Sequence, residues 1–307
     1  MKYEFLGKSN IKASRVALGL MRIADKTDEE AVEIVKTALD NGINFFDHAD
    51  IYGAGNSEIK FSKAIETLKV DRKDIYIQSK VGIEELGKSY NFSKEHIINS
   101  VDGILKRLNT TYLDSLLLHR PDILWEPEEI KEAFDILYKS GKVKHFGVSN
   151  MNQFQISYLK SVLPYPIIAN QLQFSIMHAN MVSTGVYVNS NLKEDGFDSV
   201  GILDYLREHN ITVQAWSPFQ YGRYEGVFVD NDKFKELNEV LDKIAKKYNT
   251  TKTTITVSWI LTHPANIQVL IGTMTPSRII ECANATNIKL ERDEWYEIYR
   301  AGGNSII

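Results

Sequence analysis

The sequence predicts an α/β protein built as one (β/α)8 barrel, the TIM-barrel architecture, over residues 1–307. Three observations predict it. Short apolar runs alternate with amphipathic helical stretches, the alternation occurs eight times, and no low-complexity or Pro/Gly-rich linker divides the chain. Eight such units favour a closed barrel over an open sheet, because closure leaves no strand edge unpaired.

The strand-like runs are Val16–Gly19, Ile43–Phe46, Ile75–Ser79, Tyr112–Leu118, Val143–Val148, Ile167–Gln171, Ile211–Ala215 and Ile267–Ile271. Before them, the polar segment Lys2–Lys12 reads as an N-terminal β-hairpin within residues 1–15. Between them, helix signals are explicit. Thr27-Asp28-Glu29-Glu30 is a capping box, in which Thr27 accepts from a first-turn amide and Glu30 reaches back. Ala31, Ile34, Val35, Ala38 and Leu39 follow at helical spacing, and Gly42 stands where a C-terminal cap is wanted. Ser93 caps a helix burying Ile97, Val101, Ile104 and Leu108; Glu128–Lys139 ends at Ser140-Gly141; Pro276 fits the first turn of a helix capped by Thr275. Residues 220–250 exceed a normal connection, so extra helices are expected at Lys233–Tyr248 and Glu291–Arg300.

Composition narrows the function. The net charge is −4, with no run of like charge, which gives no basis for a nucleic-acid partner or an anionic membrane surface. Cys282 is the single cysteine and has no partner for an internal disulfide, which fits a reducing compartment. Polar residues interrupt the N-terminus before a signal-peptide core forms, and no run of about 18 apolar residues is present. A cytoplasmic location is the expectation.

In a barrel of this kind, chemistry belongs at the carboxyl ends of the strands. Strand two ends in Phe46-Asp47-His48-Ala49-Asp50-Ile51-Tyr52, strand three in Gln78-Ser79-Lys80, and strand four in Leu118-His119-Arg120. Asp, Tyr, Lys and His thus converge on one mouth. A phenol near pKa 10 is a poor acid at neutral pH. A neighbouring ammonium lowers that value, an aspartate holds the ammonium in place, and a histidine orients a carbonyl. Taken singly, each has a plainer reading: a solvated cation, a helix cap, loop packing, a satisfied core histidine. Their placement on consecutive strand ends is what carries weight. No metal-ligand spacing such as H-E-x-x-H occurs, so no metal is expected. Gly53-Ala54-Gly55 lacks the third glycine of a Rossmann turn and follows the second strand.

At these residues the chain resembles the aldo-keto reductase superfamily, nearly end to end. Asp47-His48-Ala49-Asp50-Ile51-Tyr52 matches its D-x-A-x-x-Y motif, Lys80 and His119 fall on its lysine and histidine, and Gly141–Asn150 is similar to its G-K-x-R-x-x-G-V-S-N signature. The resemblance implies NAD(P)H-dependent, reversible reduction of aldehydes or ketones. Tyr52 would be the general acid, Lys80 would lower its pKa, Asp47 would pair with Lys80, and His119 would direct the carbonyl. Ser149, Asn150 and Gln171 would hold the nicotinamide carboxamide, with Trp216 stacked on its ring. The implied cofactor cleft takes in Gly19, Met21, Arg22, Ser217, Pro218 and Phe219. It also includes Gly272, Thr273, Thr275, Arg278 and Glu281 around the 2′-phosphate of NADP(H). Many relatives carry lysine where Gly272 stands, which keeps NAD(H) as the alternative. Trp125 and Tyr221, with Met21, Arg22, Phe219 and Tyr224, are candidates to face a small-molecule carbonyl substrate. A regulatory dinucleotide-binding subunit, like the potassium-channel β subunits, is the competing function. Met177–Phe197 aligns with nothing in the family pattern, reading either as a lid or as a surface excursion.

Overall fold

Hydrophobic periodicity sorts the chain into strands that line a ring and helices that cover it. The computed structural model describes residues 1–84, 87–186, 199–222 and 225–306. Eight parallel strands close the barrel: β1 (Val16–Gly19), β2 (Phe45–Asp47), β3 (Tyr76–Val81), β4 (Ser115–Leu118), β5 (Phe146–Ser149), β6 (Ile167–Gln173), β7 (Thr212–Trp216) and β8 (Ile267–Ile271). Neighbours in sequence pair in space, and β8 returns to β1.

Each of the eight predicted runs becomes one barrel strand, but several boundaries move. β2 extends to Asp47, β3 to Val81, β5 to Ser149, β6 to Gln173 and β7 to Trp216. Apolar content alone cuts these strands short, because their carboxyl ends carry the polar residues that line the mouth. Their starts shift inward for a related reason. Tyr112 and Val143 precede regular pairing, with a single parallel bridge joining Leu113 to Val143.

The helices are α1 (Asp28–Asp40), α2 (Asn56–Leu68), α3 (Lys94–Arg107), α4 (Pro127–Lys139), α5 (Gln153–Val162), α6 (Asn180–Val186), α7 (Ile202–Glu208), α8 (Lys235–Lys247), α9 (Lys252–Thr262), α10 (Pro276–Asn284) and α11 (Arg292–Ala301). The capping box at α1 is formed: Thr27 Oγ1 accepts from Glu30 N at 3.1 Å, and the Glu30 carboxylate accepts from Thr27 N at 2.8 Å. Ser93 caps α3 by accepting from His96 N. Thr275 occupies the N-cap of α10, but its hydroxyl makes no capping bond; instead its backbone N–H donates to Thr273 Oγ1 at 3.2 Å. The two extra helices are α8, introduced by a short turn at Asp232–Phe234, and α11, whose capping box uses Glu291 and Glu294. A small antiparallel pair, Ile83–Glu84 with Ser89–Tyr90, and the short α6 were not foreseen. Residues 187–197 of the unaligned segment, and Tyr224, lie outside the described residues.

The N-terminal hairpin, Tyr3–Phe5 with Lys12–Ser14, closes the amino-terminal end of the barrel. Leu6, Ile11 and Ala13 pack there against Ala17, Phe45, Ile168 and Leu270 as a separate apolar layer. Gly7 makes the approach possible. Its φ is +50°, and a Cβ there would lie 2.3 Å from the Ile168 carbonyl oxygen, so no larger residue fits. The Gly7 N–H donates to Thr212 Oγ1 at 2.8 Å, tying the stopper to β7.

Candidate active site

Alternation along a strand sends every second side chain inward. β2 therefore delivers Asp47, and β3 delivers Gln78 and Lys80, to the barrel interior. Lys80 is fully buried, and its Nζ donates to Asp47 Oδ2 at 2.7 Å, to the His48 carbonyl at 2.7 Å and to Tyr52 Oη at 3.2 Å. Its three donor directions are thus spent on a carboxylate, a carbonyl and the phenol. Burial opposes the charge on Lys80, but Asp47 and Tyr52 outweigh it and hold the amine above the ordinary lysine value.

Tyr52 reaches this point because the chain turns sharply after β2. Gly53, Ala54 and Gly55 all have positive φ, and a Cβ on Gly53 would lie 2.4 Å from Ala24 Cβ. His119 follows β4, and its N–H donates to the Val81 carbonyl at 2.9 Å. Its ring meets that of Tyr52 edge to face, centroids 6.0 Å apart at 83°. The four residues expected to act together are therefore together. Burial pushes the Tyr52 hydroxyl above its ordinary value; Lys80 and Arg120 pull it down, and Asp47 pushes it up. Lys80 acts in the expected direction, yet burial dominates, and the phenol keeps its proton at neutral pH. Burial, then Lys80 and Arg120, hold His119 well below the usual histidine range, so its ring is neutral.

Beside this cluster, Ser149, Asn150, Gln171 and Trp216 form a second bonded group. Ser149 Oγ donates to the Gln171 carbonyl at 2.9 Å and accepts from Asn150 Nδ2 at 2.8 Å. Asn150 Oδ1 accepts from the Trp216 indole at 3.3 Å, and Asn150 Nδ2 also donates to the His119 carbonyl at 3.3 Å. Asn150 and Ser217 hold left-handed backbone conformations, with φ of 57° and 52°. Such strain is tolerated where surrounding contacts determine it, and both positions lie at the mouth.

The remaining cofactor candidates lie along the β8–β1 side. Gly19 ends β1 beside Asp47, and Met21 and Arg22 follow it, exposed. Arg22 donates to the Gly272 carbonyl at 3.1 Å. Arg278 stands exposed in the first turn of α10 and makes no ion pair among the described residues; Glu281 lies one turn further on. Pro218 is buried, and Phe219 packs partly against the core. This set fits a nicotinamide dinucleotide: a flat indole beside fixed amides at one end, and an unpaired guanidinium at a helix N-terminus at the other. The enclosed Nδ1 of His119, without a hydrogen-bond partner among the described residues, marks a polar atom at the mouth ready for another donor or acceptor.

The substrate candidates are less convergent. Trp125 is half-buried, edge-on to Tyr158 with centroids 5.6 Å apart. Tyr221 is engaged within its own loop, donating to the Glu225 carbonyl at 2.6 Å and packing on Phe234. Among the described residues, neither makes a hydrogen bond or ring contact with Tyr52. A cavity of about 330 Å³ opens instead beside Trp216, lined in part by Arg120, Asn150, Gln173, His178 and Met181. Sequence reasoning missed Arg120, Gln173, Gln78 and Gln214. The signal was available, since Gln78, Gln173 and Gln214 lie two residues from Lys80, Gln171 and Trp216 and so share their inward face.

Comparison with known proteins gives the family. The sequence model of the aldo/keto reductase family matches residues 15–302. An uncharacterized oxidoreductase, YcsN of Bacillus subtilis, is 34% identical over 304 residues, covering 95% of each chain. A 6-dehydroglucose reductase of Agrobacterium fabrum is 31% identical, covering 94% of each. The crystal structure of a thermostable aldo-keto reductase, Tm1743, in complex with the inhibitor epalrestat superposes with a TM-score of 0.80 at 26% identity, over 98% of this chain and 100% of that one. Fold and site together define a barrel oxidoreductase without a Rossmann domain. The chain belongs to the aldo-keto reductase family.

Proposed function

We propose that this oxidoreductase reduces aldehydes or ketones to alcohols, reversibly, with NADPH as the preferred cofactor and Tyr52 as the general acid. The single observation that carries the reading is Lys80 Nζ placed between Asp47 and Tyr52, with the His119 ring edge-on to that of Tyr52. A reduced nicotinamide dinucleotide supplies hydride to the carbonyl carbon when bound. Trp216 would offer the ring a flat face, and Ser149, Asn150 and Gln171 would hold the carboxamide. Arg278, exposed at the start of α10, favours the 2′-phosphate that distinguishes NADP from NAD.

Within the mouth, Tyr52 gives its proton to the carbonyl oxygen as charge develops there, and the Lys80 ammonium stabilises the phenolate left behind. Asp47 keeps that ammonium charged and in place. Neutral His119 has an imidazole N–H to offer the substrate oxygen, which fixes the carbonyl against Tyr52. A phenol held protonated by burial is a donor at neutral pH and gains acidity only as the oxyanion forms.

The test is cofactor oxidation with a panel of aromatic and hydroxylated carbonyl compounds, using NADPH and NADH. Tyr52→Phe should lower the turnover rate by at least ~100-fold while cofactor affinity, read from quenching of Trp216 fluorescence, stays nearly constant. Undiminished turnover in that variant would remove Tyr52 from the mechanism.

A further inference from the structure

Asp47 does not meet Lys80 alone, and the side chains behind it form a chain of amides across the barrel. Asp47 Oδ1 accepts from Gln78 Nε2 at 2.7 Å and from Gln171 Nε2 at 3.0 Å, while Oδ2 accepts from Lys80. Both glutamine amides are held from the far side by one residue. Gln214 Oε1 accepts from Gln78 Nε2 at 2.9 Å and from Gln171 Nε2 at 3.3 Å. Gln214 Nε2 donates in turn to Gln268 Oε1 at 2.8 Å and to Gln78 Oε1 at 3.2 Å, and Gln268 donates to the Ser14 carbonyl at 2.9 Å. Every member is buried.

Buried amides are tolerated only when their donors and acceptors are matched, and Gln78, Gln214 and Gln268 each have partners on both the oxygen and the nitrogen of the amide. The network begins at the hairpin that closes the barrel floor and ends on the carboxylate at the mouth. Gln268 and Gln214 donate toward the floor, whereas Gln78 and Gln171 donate both to Gln214 Oε1 and to a single oxygen of Asp47. With Oδ1 saturated, Oδ2 is left for the ammonium, which fixes the direction from which Lys80 approaches Tyr52.

We infer that Gln214 is a positioning residue for the reaction: by holding Gln78 and Gln171 it sets the orientation of Asp47, and through Lys80 the reactivity of Tyr52. The inference rests on the catalytic reading above, and it adds a residue that touches neither cofactor nor reacting atoms. The groups facing the Tyr52 hydroxyl are Lys80, Asp47, His119 and Arg120, and Gln214 acts on them only through Asp47. Gln171 has a further part, since it joins the carboxamide group of residues to Asp47.

Three variants test it. Gln214→Met keeps volume but removes the acceptor that Gln78 and Gln171 share; turnover should fall about tenfold, more than cofactor affinity does. Tyr52 ionisation, followed as the ultraviolet difference against Tyr52→Phe, should shift to higher pH in the same variant. Gln268→Met removes a bond of the same network without touching either donor to Asp47, and should lower turnover by less than about threefold. Gln214→Glu, held neutral by burial beside Asp47, offers the same acceptor and one donor, and should restore the ionisation of Tyr52. This last variant also answers the case in which Gln214→Met fails to fold. An unmoved Tyr52 titration in a folded Gln214→Met, or equal losses in Gln214→Met and Gln268→Met, would overturn the inference. A protein that reduced no carbonyl, yet showed the titration shift, would instead overturn the catalytic reading and leave Gln214 in its place.

Discussion

The two ends of the candidate cofactor cleft are built differently. Around Tyr52, Lys80, Asn150 and Gln171, nearly every polar group has a partner, and the residues come from five consecutive strand ends, β2 to β6, with Trp216 from β7. Around Gly272, Thr273, Thr275 and Arg278, side chains are exposed or half-buried, and the cation stands apart from any carboxylate among the described residues. The first end is held by its own hydrogen bonds, as the proposed proton and hydride transfer would require. On the proposed function the second would have only to attract and hold an anion, for which an exposed guanidinium and a helix N-terminus suffice. Changes at the first end should therefore alter turnover, and changes at the second affinity.

The sharpest way to break this contrast is Lys80→Met. It leaves Asp47 buried without its cation, so we expect turnover to drop at least ~100-fold. We also expect a stability loss on the order of 3–5 kcal/mol, read from chemical denaturation. At the other end, Arg278→Ala should weaken NADPH binding about tenfold and leave NADH binding and turnover nearly unchanged. Equal losses for both cofactors would move the phosphate elsewhere.

A smaller effect is expected at Gly272. A Cβ there would lie 2.9 Å from the Arg22 guanidinium, the far end of a flexible side chain that can give way. Gly272→Lys should tighten NADPH roughly threefold over NADH by adding a second cation near the phosphate. The smallest concerns pH. Behind the Tyr52 turn, the buried Glu58 pairs with Arg107, and burial pushes its carboxyl up to about 7. Because the folded value is raised, the stabilising contribution is complete below the unfolded value and is lost as pH rises through about 7. Wild-type melting temperature should therefore decline more between about pH 5 and pH 8 than that of Glu58→Gln, by roughly 2–4 °C. Parallel curves would show that Glu58 titrates elsewhere.

The sequence made the barrel legible because its signals are local. Capping boxes, helical spacing and eight apolar runs need no tertiary knowledge, and Thr27, Ser93 and Gly42 behave as their residue types dictate. The tetrad was legible too, since motif spacing places Asp47, Tyr52, Lys80 and His119 at successive strand ends. Gln78 and Gln214 escaped notice although their two-residue spacing from Lys80 and Trp216 marks the inward face, because spacing does not say what an inward glutamine will meet. Only closure of the ring brings it against a carboxylate from another strand. Tyr221 shows what residue type alone leaves out: its aromatic character suggests a pocket wall, and only the structure shows its hydroxyl donating to a carbonyl within its own loop. Thr275 occupies the N-cap without the capping bond, and its own amide donates to Thr273 Oγ1.

The stopper beneath the barrel has a practical corollary. Tyr3 Oη donates to the Gly42 carbonyl just ahead of β2, so the first residues sit on the face opposite the reacting groups. Protein immobilised on a bead through a handle at Met1 would hang with its opening toward the bulk solution, leaving reagent traffic unobstructed by the support.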